Sequence, residues 1–241
     1  MAKRGKRYAE LREKIGNQSV YSVEEAVDLI PQTSAAKFDG SVDIAVKLGI
    51  DSKNADQQIR GSLVLPHGTG KNVRVLVFAK DAKAAEAKEA GADYAGFEDL
   101  VEKIEKENWL EFDVAIATPD VMSEVGKLGK FLGPRGLMPA PKMGTVTNEI
   151  ATVVKQSKGG RIEFKNDKGS VVHAPLGKSS FEVSKIKENL VFMLYSLNKM
   201  KPASSKGDFF KKVSISNTMG PSINVDLVSI KEEIKAFAGR I

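Results

Sequence analysis

The sequence predicts a discontinuous α+β domain with a three-layer, Rossmann-like α/β domain inserted into it. Three observations lead to this fold class. In the first and last parts of the chain, apolar and polar residues alternate along the strands, as in a sheet with one buried face. In the middle, short and continuously apolar strands alternate with helices, which is typical of a largely parallel sheet covered on both faces. Glycines lie at both points where the strand pattern changes. We therefore expect residues 1–67 and 160–241 to form one domain and residues 68–159 the other.

The first part of the chain predicts a short helix followed by two strands. Ser22 and Glu25 have the spacing of a capping box, and the apolar residues after them repeat at helical intervals until Pro31. Apolar and polar residues then alternate over residues 42–50, and residues 59–65 predict a second strand.

The middle part predicts two buried strands, three helices and a glycine-rich loop. The strands cover residues 73–79 and 114–117, which are almost continuously apolar. Helical patterns follow the first strand as far as Gly91 and cover residues 98–107 and about 148–156.

The last part returns to alternating strands. Residues 162–165 and 171–172 predict two of them, and a long helix then carries an apolar stripe over residues 183–197. Residues 213–215 and 223–227 predict two more strands. The tail beyond residue 228 has Ile230, Ile234 and Phe237 at helical spacing, and its role is open.

The charge of the chain favours a polyanionic partner. The formal net charge is +6, and basic residues concentrate near the N terminus and around residues 199–212, whereas the middle is acidic. This asymmetry indicates a face for nucleic acid or an acidic membrane, although a basic enzyme would share the net charge. The chain has no cysteine, which excludes disulfides and thiolate metal sites. It also lacks an apolar run long enough to span a bilayer, so we expect a cytoplasmic protein without a membrane partner.

The segment 126–145 contains five glycines, three prolines, four basic residues and no acidic one. Glycine allows close approach of the backbone and proline stiffens it, so the composition predicts a shaped loop that presents amides and cations to an anion. The alternative is a loop that only packs over the sheet and contacts no ligand. The four cations, Lys127, Lys130, Arg135 and Lys142, favour contact with RNA.

A row of hydroxyls is predicted near the second set of strands. Ser214, Ser216 and Thr218 alternate with buried residues, and the glycine at 220 lets a ribose or base pack on the backbone. Lys37 and Phe38 pair a cation with an aromatic ring, which suits phosphate contact and stacking. A plain turn around Gly220 and a buried Phe38 are the alternatives.

The sequence offers no catalytic constellation, no metal site and no cofactor motif. Residues 67–71 resemble a phosphate loop but lack its first glycine and the Ser or Thr that would meet magnesium. The two histidines, His67 and His173, have no metal-ligand spacing and are interpreted as structural. A nucleotide-dependent α/β enzyme is the competing hypothesis, and it accounts only for the middle of the chain.

Four motifs together resemble one known family. They are LPHGTGK at 65–71, LGPRGLMP at 132–139, PK at 141–142 followed by GTV at 144–146, and TMGPS at 218–222. In this order and spacing they are similar to the family of the bacterial large-subunit ribosomal protein L1, over almost the entire chain. The resemblance implies a non-enzymatic, two-domain protein of the mobile ribosomal stalk, monomeric when free. Its discontinuous domain would bind large-subunit ribosomal RNA, and the stalk would assist movement and release of deacylated exit-site tRNA. The same surface would bind the protein's own messenger and repress its translation.

The resemblance also implies which residues contact RNA. Three segments are carried over by position: Lys37, Phe38 and Ser41; Lys165, Asn166, Asp167 and Lys168; and Ser216, Thr218, Met219, Gly220 and Pro221. Ser41 stands where the family commonly has threonine, which keeps the hydroxyl and loses a methyl group. The cations of segment 126–145 are the candidates for transient tRNA contact.

Overall fold

A computed structural model describes residues 5–16, 18–34 and 36–239, without the side chains at positions 55, 81, 82 and 142. The helices are α1 (Lys6–Ile15), α2 (Val23–Gln32), α3 (Asp81–Glu89), α4 (Glu98–Glu107), α5 (Met122–Val125), α6 (Gly129–Leu132), α7 (Ile150–Lys158), α8 (Val183–Lys199) and α9 (Leu227–Ala238). The strands are β1 (Ser41–Leu48), β2 (Arg60–Val64), β3 (Val75–Phe78), β4 (Tyr94–Gly96), β5 (Val114–Ala117), β6 (Arg161–Lys165), β7 (Val171–Lys178), β8 (Phe210–Asn217) and β9 (Ser222–Val225).

The chain divides into two compact units. The first comprises the described residues up to Gly70 together with those from Ile162 onward, and the second comprises Lys71–Arg161. Separate folding of residues 68–159 and of the outer segments stays a prediction.

The first unit is built on an antiparallel sheet in the order β7-β1-β8-β9, with β2 and β6 forming a two-stranded sheet. Residues of β1 alternate between buried and accessible, because one face packs on the core and the other is open. The core beneath contains Ile44, Val46, Leu190 and Leu194 from the sheet and α8.

Helix α2 begins as predicted and ends later than predicted. Ser22 and Glu25 form the capping box. Pro31 lies inside the last turn, and the helix continues to Gln32. Leu227, predicted to lie in a strand, instead begins α9, where Asp226 caps the helix by accepting a hydrogen bond from the N–H of Ser229.

The second unit is a parallel three-stranded sheet in the order β4-β3-β5. Side chains of β3 point alternately to two apolar clusters. Leu76 and Phe78 belong to the cluster with Ile104 of α4, whereas Val75 and Val77 belong to the cluster with Val154 of α7. Helices therefore cover both faces of this sheet. No helix in the described part of the chain is long and apolar enough to cross a membrane.

Candidate nucleic-acid interface

The open face of the first unit's large sheet carries polar side chains in paired rows. Asp43 and Lys47 of β1 are exposed on this face, and their partners across β8 are Ser216 and Lys212. His173 on β7 is also exposed on this sheet. Hydroxyl, carboxylate, imidazole and ammonium groups can bind phosphates, sugars and base edges. The face therefore has the chemistry of an RNA surface.

Ser41 and Thr218 join two distant parts of the chain at one end of this sheet. The N–H of Ser41 donates to Oγ1 of Thr218 at 2.8 Å, and that hydroxyl donates to the carbonyl oxygen of Ser41 at 3.0 Å. The N–H of Thr218 donates to the same carbonyl at 2.9 Å. The Thr218 hydroxyl thus accepts one hydrogen bond and donates another within the protein, and it holds Ser41 against the turn.

The turn after β8 projects Met219 into solvent. The N–H of Gly220 donates to the carbonyl oxygen of Asn217 at 2.8 Å, which closes the turn. Met219 has φ of 64° and a side chain that is 76% exposed. Glycine is the usual residue at a positive φ, and another residue there stores about 1–3 kcal/mol of strain. Strain combined with exposure of a large apolar side chain is typical of a binding residue.

Phe38 and Lys37 lie just before Ser41 and are both exposed, Phe38 by 60%. The buried alternative for Phe38 is therefore wrong. Pro221, in contrast, is buried, and Ser216 is partly accessible.

Gly220 is needed by the protein's own packing. A Cβ atom there would lie 3.0 Å from the carbonyl oxygen of Thr33 and 3.2 Å from that of Asn217. The absence of a side chain at this position lets the turn pack against the end of α2. Close approach of a ligand is not required to explain this glycine.

The segment Lys165–Lys168 lies at the other end of β1. Nζ of Lys47 donates to the carbonyl oxygen of Gly169 at 2.6 Å, whereas Ser41 is six residues away along the strand. Six strand residues span about 20 Å. The three segments predicted to contact RNA are therefore not gathered at one point.

The polar side chains of this second segment partly make hydrogen bonds within the protein. Oδ1 of Asn166 accepts a hydrogen bond from the N–H of Ile59 at 2.7 Å, and Oδ1 of Asp167 accepts one from the N–H of Val171 at 2.8 Å. Lys165 and Lys168 have exposed side chains. The two lysines are thus the members of this segment that are available to a phosphate.

Two carboxylates near the interface have pKa values displaced in opposite directions. Hydrogen bonds from Ser180, with support from Ser179, lower the pKa of Asp39. Burial raises the pKa of Asp43, and the nearby charges of His173 and Lys178 oppose this effect. Asp43 occupies an outward position of an alternating strand, so the same parity that singled out Ser216 could have found it. The serines that hold Asp39 follow β7, and nothing in the sequence pairs them with it.

The glycine-rich segment of the second unit is more helical than predicted. Residues Gly126–Leu128 form a 3₁₀ turn, α6 follows, and Pro141–Met143 form another 3₁₀ turn. A loop over the whole of residues 126–145 was therefore the wrong prediction. Leu128 and Leu132 are fully buried in the unit's core, which gives the helical turns an apolar side.

The cations of this segment point into solvent. Lys127, Lys130 and Arg135 are exposed, and none of them forms an ion pair with any residue that the structure describes. The side chain of Lys142 lies outside the described residues, as do Lys3 and Arg4. Three unpaired cations on one short stretch can attract a polyanion without first breaking internal contacts.

A comparison with family models gives a match. The model described as "Ribosomal protein L1p/L10e family" matches residues 30–221, which is well over half of the chain. The match includes both β1 and the Met219 turn, and it ends before α9. In the described residues, no group of three or more histidines and carboxylates is placed to hold a metal ion.

Proposed function

Because the chain belongs to the ribosomal protein L1p/L10e family, we propose that it binds ribosomal RNA through the open sheet face and the Met219 turn. Membership makes it a ribosome-associated, large-subunit protein that binds ribosomal RNA, in a family that is structural and not enzymatic. The observation that carries the proposal is the 76% exposure of Met219 at a positive φ beside the Ser41–Thr218 hydrogen bonds. An exposed side chain on a strained backbone turn that is held by hydrogen bonds is pre-organised for a partner.

Each part of this surface has a chemical role in the proposed contact. The Phe38 ring and the Met219 thioether pack against bases or riboses, and the ammonium groups of Lys37 and Lys165 contact phosphates. The Ser216 hydroxyl is a donor or acceptor for a 2′-hydroxyl. Gly220 and Pro221 hold the turn, and Asn166 and Asp167 hold the second segment.

Alanine variants of the two exposed apolar residues test this surface. Phe38→Ala and Met219→Ala should each weaken binding of large-subunit ribosomal RNA, since loss of one stacked base costs about 1–3 kcal/mol. Val228→Ala is the matched control, because Val228 is 63% exposed and lies beyond the family match. Titration with radiolabelled RNA measures the affinity. Unchanged affinity in both variants would refute the proposed surface.

Finer roles are proposed by analogy with the resemblance described above. The protein would be the bacterial form of the family, act in the cytoplasm as a monomer when free and form the mobile stalk. Lys127, Lys130, Arg135 and Lys142 would contact exit-site tRNA and assist its movement and release. The first unit would also bind the protein's own messenger and repress it. The unpaired state of Lys127, Lys130 and Arg135 supports a contact that is made and released.

Removal of these four charges tests the tRNA contact. The quadruple alanine variant should reduce the salt slope of tRNA binding by roughly 0.7 per phosphate, about three units in all, and leave ribosomal-RNA affinity nearly unchanged. The control replaces four other exposed lysines of the second unit, Lys80, Lys88, Lys106 and Lys155. Loss of ribosomal-RNA binding in the first variant would reassign the segment to the anchoring surface.

A further inference from the structure

The first unit contains a pocket of about 240 Å³ that involves none of the residues discussed above as RNA contacts. It lies where the end of α8, the start of β8 and helix α9 meet. Its lining consists of Asn198, Lys201, Gly207, Asp208, Phe209, Phe210, Lys231, Ile234 and Lys235.

The pocket combines an apolar floor with a cationic rim. Phe209 and Phe210 are each 5% exposed, their rings lie 5.1 Å apart, and Ile234 completes the floor. Three lysines and one aspartate form the rim, so its net charge is positive.

Part of the rim's hydrogen-bonding capacity is unused. Nζ of Lys231 pairs with Asp208 at 3.0 Å, and Nζ of Lys201 donates to the carbonyl oxygen of Gly207 at 3.2 Å. The ammonium of Lys235 and the side-chain amide of Asn198 make no hydrogen bond or ion pair with any described residue. A ligand that carries both an anion and amide-like groups would satisfy them.

We propose that this pocket binds one unpaired nucleotide of an RNA strand. The base enters the pocket within reach of the Asn198 amide, with only the small exposed parts of Phe209, Phe210 and Ile234 against it, and the flanking phosphates contact Lys201, Lys231 and Lys235. The pocket is smaller than the roughly 300–1,000 Å³ typical of sites for whole small molecules, which fits one unit of a polymer better than a free metabolite.

Continuity with the sheet favours RNA over an acidic protein. Lys211 and Lys212 follow the pocket floor directly along β8, and Lys212 lies opposite Lys47 on the open face. Lys211 and Lys212 therefore connect the pocket floor, along the chain, with the cations of the open face. Helix α9, which supplies Lys231, Ile234 and Lys235, lies outside the residues matched by the family model, whereas the rest of the lining lies inside them.

The test uses the full-length protein and a single-stranded decauridylate that carries one 4-thiouridine. The variant Lys201→Ala/Lys231→Ala/Lys235→Ala should bind this probe at least tenfold more weakly. Its salt slope should fall by about two units, at roughly 0.7 per phosphate. Photo-crosslinking of the unaltered protein should label the peptide that contains Phe209 and Phe210.

The control removes three exposed lysines elsewhere in the first unit, Lys6, Lys14 and Lys185, and breaks one surface ion pair, as the test variant does. Equal weakening by both variants, or none, would overturn the proposal, and so would a crosslink elsewhere. Competition by a decaaspartate peptide as strong as by the decauridylate would assign the pocket to acidic protein segments instead. The crosslink to the peptide with Phe209 and Phe210 reports on the pocket, and titration with large-subunit ribosomal RNA reports on the Met219 turn, so failure of one proposal is distinguishable from failure of the other.

Discussion

At the residue scale, the Thr218 hydroxyl is a joint between two segments that lie 177 positions apart in the chain. Thr218→Val keeps the shape of the side chain but leaves the N–H of Ser41 without its partner. An unpaired donor of this kind costs about 1–3 kcal/mol, so the free energy of unfolding should fall by that amount. Thr218→Ser retains the hydroxyl and should restore most of it. Urea unfolding of the three proteins measures the difference, and equal midpoints would show that the joint contributes nothing.

Two carboxylates of the same region make opposite predictions for the dependence of stability on pH. Burial raises the pKa of Asp43, so its charge disfavours the folded state above that pKa, and the penalty disappears below the ordinary value of about 3.9. Asp43→Asn should therefore raise the melting temperature at pH 7 and have no effect near pH 3.

The variant Asp39→Asn should change the stability in the opposite direction. Hydrogen bonds from Ser180 lower the pKa of Asp39, so its contribution to stability is present above about 3.9 and is lost as pH falls through the lowered value. This variant should be less stable at pH 7. Melting curves from pH 3 to pH 8 that moved in the same direction for both variants would contradict the assignment.

The sequence predicts which residues lie on the candidate surface better than it predicts what each one does. Alternation along β8 places Ser216 on the open face, and Met219 follows from the resemblance. The engaged hydroxyl of Thr218 and the packing of Gly220 against Thr33 depend on contacts between distant segments. No local pattern encodes such contacts, so these two roles could not be read from the chain.

At the scale of elements, regular periodicity predicts best. Helix α4 has the bounds that its apolar spacing predicts, 98–107, and β5 covers the predicted residues 114–117. Two predictions failed because tertiary contacts outweigh local composition. No helix is predicted from the sequence in the basic N-terminal segment. Helix α1 forms there, and its buried residues are Leu11 and Ile15. Glycines suggested a loop at 126–132, where buried Leu128 and Leu132 stabilise helical turns.

Glycines in these helical turns should respond differently to substitution. A Cβ atom at Gly133 would lie 2.5 Å from the carbonyl oxygen of Gly129, so Gly133→Ala should destabilise the protein by about 1–3 kcal/mol. At Gly126 nothing lies within 4 Å and the backbone is helical, so Gly126→Ala should stabilise it by about 0.5–1 kcal/mol. The melting temperatures of the two variants, compared with that of the unaltered protein, test both predictions. A loss of stability at both positions would mean that this segment needs flexible glycines.

At the scale of the whole molecule, each compact unit has its own apolar core. We therefore predict that replacing residues 68–159 by a short Gly/Ser linker leaves a folded protein that still binds ribosomal RNA. A fragment of residues 71–161 should fold by itself. Circular dichroism checks the folding of both shortened proteins, and RNA titration checks binding by the first. An unfolded linker variant beside a folded full-length chain would contradict separable domains.

The position of β1 in its sheet sets an order of events during translation. β1 pairs on one side with β7 and on the other with β8, so a nascent chain has made β1 long before either neighbour exists. Residues 71–161 are continuous and emerge first as a complete unit, whereas the first sheet closes only after residue 217 has been synthesised. Because Thr218 completes the hydrogen bonds to Ser41, we predict that a prematurely terminated chain folds residues 71–161 but lacks the finished candidate surface. The order of the strands thus leaves the proposed RNA surface incomplete until the chain is nearly finished.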